Sequence, residues 1–364
     1  MEMALRIFLL ILGLVLLVKG ADWFVDGGAG VAQKCKISPL IVGLTIVAFG
    51  TSAPELAVSV TSAINHSTDL AIGNVVGSNI INILLILGLS AVLHKLPVQK
   101  NSLRLDLPVL IIASAALILL GYFGSAVSWW DGLILIGIFA VYMFILLRNA
   151  VKQIKNPVAT VSVGDVKDSS TTLEMTDRSE NEPNTQNTQT DQTAESKPNT
   201  KKKQSKLSEW YEKQKEHIWF LIILIIVGIA MVVGGGTLLV NSATYIATRA
   251  GVSERVIGLT VVAIGTSLPE LVTSVIAAFK GETDIAVGNI IGSNIFNILL
   301  IAGTASLFYP LAFTMGNLID ACVALGAACV LFVFSLLRKH ELGRFAGIVM
   351  LACFAGYYVY LFLA

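Results

Sequence analysis

Apolar residues run in stretches of about 20 or more along most of the chain, separated by short polar connections and one long polar interval. About 20 residues of helix cross the hydrocarbon of a bilayer. The pattern therefore predicts ten transmembrane helices, over 4–30, 39–63, 70–93, 105–123, 128–148, 217–247, 255–279, 285–308, 317–337 and 344–363. Residues 156–206 are rich in Thr, Ser, Asn, Gln, Asp, Glu and Lys and cannot bury enough surface to fold. The expected organisation is a first five-helix repeat at 1–150, a mostly disordered cytoplasmic linker at 151–216 and a second five-helix repeat at 217–364. The Lys residues of a helix from Leu207 to His217 could touch anionic lipid, but a solvated charged linker is the simpler reading.

Composition agrees with an all-α polytopic membrane protein: 55% of residues are hydrophobic and 13% charged, with a mean hydropathy of +0.78. The bilayer is thus the expected partner. A net charge of +1 gives no basic surface for nucleic acid. Cys35, Cys322, Cys329 and Cys353 lack metal-site spacing, and at least three fall in apolar segments, where burial by packing is expected. Only Arg6 precedes the first apolar run and no clean cleavage site follows, which reads as a retained span. In the short connections Lys34, Lys36, Lys95, Lys100, Arg104, Lys280, Arg338, Lys339 and Arg344 fall on one side, with Arg148, Lys152, Lys155 and Lys201 to Lys203 beside them. Arg6, Arg249 and Arg255 fall on the other, so the central loop is expected in the cytoplasm and both termini outside.

The stretch Gly43 to Leu93 aligns without a gap onto Gly258 to Phe308, at a constant offset of 215, with about 29 identities in 51 positions. Each copy occupies the second and third spans of a five-span unit. An odd number of crossings makes the second unit enter from the opposite side, so the repeats are expected to be inverted, as in many secondary transporters. Two copies of membrane spans do not make a solenoid.

Within each copy lies a breaker and a charge: GTSAPE at Gly50 to Glu55 and GTSLPE at Gly265 to Glu270. Pro54 cannot donate to the carbonyl of Gly50 and crowds it, so the helix is expected to bend or open there, as at Gly265 and Pro269. Unpaired backbone groups at membrane depth survive only inside protein or along a polar cavity, where a cation is a natural partner. A Glu near a helix centre costs on the order of 3 kcal/mol on insertion scales, so Glu55 and Glu270 are expected to face the interior. Thr51 and Ser52 share a helical face with Glu55, as Thr266 and Ser267 do with Glu270. On the next span Ser78 and Asn82 are four apart, as are Ser293 and Asn297. The set is all oxygen, which suits a hard cation, and two carboxylates balance one Ca²⁺ or two Na⁺.

Other repeated residues have simpler explanations. Gly73 and Gly77, and Gly288 and Gly292, form small-residue packing motifs. Asp69 and Asp284 open their helices and suit N-terminal stabilisation. Asp22 and Asp26 have no charged counterpart in the second half, which suggests a cytoplasmic-edge or gating position in preference to ligation.

At these residues the chain resembles the calcium/cation antiporter superfamily, specifically its prokaryotic sodium/calcium exchanger branch. The paired GTSxPE and GNxxGSNIxNI motifs carry the resemblance, which covers nearly the whole membrane part. It implies a ten-helix transporter of Ca²⁺ and Na⁺, with no cofactor, whose second, third, seventh and eighth spans enclose the ion while the first and sixth move. The ligands it implies are Glu55, Thr51, Ser52, Ser78 and Asn82, with Glu270, Thr266, Ser267, Ser293 and Asn297. The backbone carbonyls of Ala48 and Ala263 complete the implied set.

Some archaeal and potassium-dependent relatives carry Asp where this chain has Asn297, so the resemblance does not extend to potassium co-transport. The central loop is too short and too polar for the calcium-sensing β-sandwich domains of animal exchangers. Exchange of H⁺ for Ca²⁺ is the nearest alternative, because an empty carboxylate can carry a proton, yet proton-driven relatives usually resemble GNxxE at this place. A cation sensor or scaffold would have no use for two symmetric half-sites, and no nucleophile paired with a base suggests an enzyme.

Overall fold

A computed structural model describes residues 2–155, 214–215, 217–251, 263–337 and 340–363. Helices dominate: α1 (Glu2–Cys35), α2 (Pro39–Thr51), α3 (Ala53–Ile64), α4 (Thr68–Leu93), α5 (Ser102–Gly124) and α6 (Trp129–Lys155) form the first half. The second half holds α7 (Ile218–Arg249), α8 (Ala263–Thr266), α9 (Leu268–Phe279), α10 (Thr283–Phe308), α11 (Met315–Leu337) and α12 (Arg344–Leu363). Among the described residues eight helices are long and apolar enough to cross a membrane, and the bent pair α2 and α3 makes a ninth. The remaining expected span falls on α8 and α9, and its first part, with Arg255 and Gly258, lies outside the described residues. So does most of the expected linker, including Lys201 to Lys203. Where that linker was expected to begin, α6 instead runs on to Lys155. Both halves form one compact unit, Met1–Asn156 with Lys215–Ala364.

The offset of 215 governs the backbone well beyond the aligned stretch. Positive φ occurs at Lys36, His66 and Ser125, and again at Gly251, Gly281 and His340, each 215 residues on. At the first two pairs the second copy uses glycine, which takes this conformation without a Cβ penalty, and the first copy does not. Two short antiparallel pairings exchange strands between the halves. Leu96 pairs with Leu342 and Pro97 with Glu341, while Val127 pairs with Leu311 and Ala126 with Ala312. Adding 215 to the first-half residues of the first ladder and subtracting it from their second-half partners reproduces the second ladder.

Helices α1 and α7 pack along most of their lengths. A Cβ at Gly13 would meet the Gly235 carbonyl at 2.8 Å, one at Gly20 the Gly228 carbonyl at 2.9 Å, and one at Gly27 the Leu221 carbonyl at 2.9 Å. As numbers rise on one helix they fall on the other, so the two equivalent helices run antiparallel, as inverted repeats require. Glycines seven apart keep one seam of each helix bare, and the backbones close to contact, which is how helices associate where lipid removes the hydrophobic drive.

Helices α4 and α10 form the centre: 78% and 94% of their most apolar windows are buried, against 17% for α1 and α12. Leu5, Phe8, Ile11, Phe123, Trp130 and Phe144 instead face outward as a lipid-compatible surface. Cys322, Cys329 and Cys353 also lie on that exterior, contrary to the expectation of burial, because their helices pack on one side only. Gly288 and Gly292 meet their expected role, since α10 crosses the backbone of α2 with Leu40 and Leu44 in contact distance of any added Cβ. The equivalent partner of Gly73 and Gly77 lies outside the described residues.

If the glycine seam holds α1 on α7, Gly20→Val should lower the melting temperature of the detergent-purified chain, through overpacking worth about 1–3 kcal/mol. Gly234→Val, on the same helix pair but with open space around it, should leave it nearly unchanged; equal losses in the two variants would contradict the seam.

Candidate functional site

Both GTSxPE segments break their helices at the serine. Ser52 has φ −83° and ψ 6°, Ser267 has φ −89° and ψ 5°, and each proline lies in the first turn of the helix that restarts after it. That is where proline fits, because first-turn N–H groups have no intrahelical acceptor. Helices α2 and α3 meet at 48°. The bend leaves the Gly50 carbonyl without the i+4 donor, as the sequence suggests, and delivers Glu55 to the interior from the first turn of α3.

Glu55 and Glu270 are completely buried, as are Thr51, Ser267, Asn82, Ser293 and Asn297, and Ser52 and Ser78 are nearly so. The two carboxylates lie near enough to act on each other electrostatically. Ser52 Oγ donates to Glu270 Oε1 at 3.0 Å across the two repeats, and Ser293 Oγ reaches the same oxygen at 3.4 Å. The half-sites differ in degree: Ser267 approaches Glu55, but neither Glu55 oxygen meets the distance and angle of a full hydrogen bond among the described residues, whereas Ser52 and Ser293 both reach Glu270. Glu270 Oε2, Ser267 Oγ, both amide atoms of Asn82 and the carbonyl oxygen of Asn297 also lack partners there. Buried polar atoms are ordinarily paired, and this concentration of lone pairs around two carboxylates is the chemistry that a cation satisfies.

Asn82 and Asn297 are held on π-helical turns, Ile81–Leu87 and Phe296–Ala302, each beginning one residue earlier. Such wide turns concentrate at functional sites, and no propensity in the sequence announces them. The Asn297 amide donates to Asn79 Oδ1 at 3.0 Å, which leaves its oxygen free for a ligand. Ala48 is buried near the end of α2; its carbonyl accepts the Ser52 N–H at 3.0 Å, and Thr51 Oγ1 lies 3.4 Å from the same oxygen. Ala263 begins α8. Thr266 Oγ1 donates to Asn74 Oδ1 at 3.4 Å and Thr51 Oγ1 to Asn289 Oδ1 at 3.1 Å. No group of three or more His, Cys, Asp or Glu side chains gathers among the described residues, so the donor set is two carboxylates among neutral oxygens.

Asn74, Asn79, Asn289 and Asn294 are the residues that the sequence reading passed over. Their signal was present: each Asn recurs at the offset of 215 inside an apolar span. Asp69 and Asp284 open α4 and α10 as expected, and each also accepts a hydrogen bond from the opposite repeat, from Asn317 at 3.2 Å and Gln99 at 2.7 Å. Asp22 and Asp26 are neutralised outside the site. Lys280 pairs with both at 2.7 Å, and Lys215 pairs with Asp26 at 2.9 Å.

A helical membrane protein whose antiparallel repeats share an oxygen-lined carboxylate pair has the architecture of a secondary transporter. The chain matches the sodium/calcium exchanger protein family over residues 5–148 and 220–363, and it belongs to that family. It is 34% identical over 371 residues to the putative antiporter CaxA of Alkalimonas amylolytica, covering 98% of each chain. It is 35% identical to the sodium/calcium exchanger MaX1 of Methanosarcina acetivorans, covering 97% of each. A solved structure of the sodium-calcium exchanger NCX_Mj aligns with a TM-score of 0.75 at 28% identity, over 98% of this chain and 99% of that one. These relatives are exchangers and antiporters, not enzymes.

Two buried carboxylates with unmet oxygens cost stability when no cation is bound. In Na⁺-free and Ca²⁺-free buffer at pH 8, Glu55→Gln should therefore melt above wild type, by the equivalent of about 1–3 kcal/mol. Addition of Ca²⁺ should raise the wild-type melting temperature and leave the variant unmoved; a variant that melts lower and still responds to Ca²⁺ would remove Glu55 from the site.

Proposed function

We propose that this chain is a secondary antiporter that exchanges Na⁺ for Ca²⁺ at the cross-repeat site by alternating access. The observation that carries the reading is the cluster of unpaired buried oxygens on Glu55, Glu270, Asn82 and Asn297. Glu55 and Glu270 supply charge, and Thr51, Ser52, Ser78, Asn82, Thr266, Ser267, Ser293, Asn297 and the Ala48 and Ala263 carbonyls supply neutral oxygens. Two carboxylates balance one Ca²⁺ or two Na⁺, so either load leaves the site neutral and the two ions compete. That competition is the physical basis of exchange.

The glycine seam makes α1 and α7 a unit, with α1 also packed on α9. Because equivalent helices run antiparallel, exchange of conformations between the two repeats opens the opposite side, and the α1 and α7 unit is the element that moves over the site. The excess of Lys and Arg in one set of connections places the central loop in the cytoplasm and both termini outside. The prokaryotic relatives are in keeping with a plasma membrane. Should more than two Na⁺ move per Ca²⁺, the membrane potential contributes about 2.3 kcal/mol per charge per 100 mV. Asn297 adds no third carboxylate, so K⁺ is not required.

Proteoliposomes loaded with Na⁺ and diluted into Na⁺-free medium should accumulate Ca²⁺, and Glu55→Gln and Glu270→Gln should each reduce uptake to the level of empty vesicles. Omission of K⁺ should change nothing. Uptake driven by an imposed pH gradient without Na⁺ would instead assign the chain to H⁺ exchange, and Ca²⁺ binding with no flux in any gradient would leave a sensor.

A further inference from the structure

Two asparagines next to the candidate ligands form hydrogen-bond relays that reach the carboxylate site through threonine hydroxyls. Asn289, fully buried on α10, donates its Nδ2 to Ser274 Oγ of α9 at 2.9 Å, and its Oδ1 lies 3.1 Å from Thr51 Oγ1 of the opposite repeat. The arrangement recurs 215 residues earlier: Asn74 donates to Ser59 Oγ at 2.9 Å and accepts from Thr266 Oγ1 at 3.4 Å. Asn74 also donates to the backbone carbonyl of Glu55 at 3.2 Å. Each half-site is therefore braced by an asparagine of the other.

The Thr51 hydroxyl has one proton and four acceptors in reach: Asn289 Oδ1 at 3.1 Å, the Val47 carbonyl at 3.1 Å, the Ala48 carbonyl at 3.4 Å and the Glu270 carboxylate. Because Ser274 fixes the amide with its nitrogen turned away, Asn289 can present only an acceptor to Thr51. A hydroxyl proton sent to either carbonyl or to Glu270 would leave the Thr51 and Asn289 oxygens facing each other at 3.1 Å with no hydrogen between them, and a cation held by Glu270 takes that carboxylate out of the competition. The proton therefore goes to Asn289. The consequence for a cation is twofold: the Thr51 lone pairs turn towards the site, and the second lone pair of the Ala48 carbonyl stays unused.

We propose that Asn289 and Asn74 are positioning residues that set the proton direction of Thr51 and Thr266, and so convert these hydroxyls into cation acceptors. The proposal rests on the exchange reading above. Its reach is specific: Asn289 acts on the ion only through Thr51, and Ser274 acts only through Asn289.

A double-mutant cycle in reconstituted full-length protein tests it, with the Ca²⁺ concentration at half-maximal Na⁺-driven uptake as the readout. Asn289→Ala and Thr51→Val should each raise that concentration about tenfold, the size of one hydrogen bond to a charged group, and Asn289→Ala should change the maximal rate less than twofold. The double variant should be no worse than the poorer single, because Asn289 has nothing left to orient once the hydroxyl is gone. Ser274→Ala should shift it in the same direction by less, and it replaces Asn289→Ala in the cycle if that variant fails to fold. A lowered maximal rate at unchanged half-saturation, or single effects that multiply to about a hundredfold, would overturn the relay. If the wild type shows no Na⁺-driven flux, the exchange reading falls by itself, and the same cycle is then read on the Ca²⁺-induced rise in melting temperature. Should Ca²⁺ cause no such rise in wild type, both readings fall together.

Discussion

Two carboxylates taken out of water repel each other, and here they have fewer hydrogen bonds than lone pairs. Glu270 receives two hydroxyls on one oxygen, Glu55 receives none among the described residues, and the buried amides of Asn82 and Asn297 add further unmet oxygens. Desolvating a charge costs several kcal/mol even after relaxation, and removing water without supplying a partner is the costliest case. The surrounding structure holds these groups together nonetheless. The bond from Ser52 to Glu270 joins the repeats at the carboxylate itself, and the asparagine relays join them again one layer out.

The rest of the fold supplies the rigidity that such a site needs. Helices α4 and α10 are buried almost throughout, and α10 lies backbone to backbone on α2 through Gly43, Gly288 and Gly292. The two strand ladders pin the ends of the outer helices, each linking one half to the other. The α1 and α7 pair differs: its interior seam is glycine, and most of its surface faces outward. The seam brings α1 and α7 together as one body.

Much of this was legible in the sequence because apolar length and a repeated motif are strong signals. Pro54 and Pro269 betrayed the helix breaks, and Glu55 and Glu270 betrayed the interior. The glycine spacing at Gly13, Gly20 and Gly27, matched by Gly228 and Gly235, was equally visible but has meaning only once the partner helix is known. Illegible were the π-helical turns under Asn82 and Asn297, since a single extra residue per turn follows from tertiary packing and not from local propensity. Nor could spacing alone reveal that Ser52 serves the carboxylate of the other repeat, because inverted halves exchange partners across a distance of 218 residues. The outward placement of Cys322, Cys329 and Cys353 was hidden for a related reason: apolar residues face lipid as readily as core.

One compact consequence of two carboxylates in one neutral cage is competition at fixed stoichiometry. Isothermal titration of the purified chain with Ca²⁺, repeated at increasing Na⁺, tests this most directly. The titration should give one Ca²⁺ per chain at every Na⁺ concentration, with an apparent Kd that rises as Na⁺ rises. Two Ca²⁺ per chain, or an affinity indifferent to Na⁺, would contradict it.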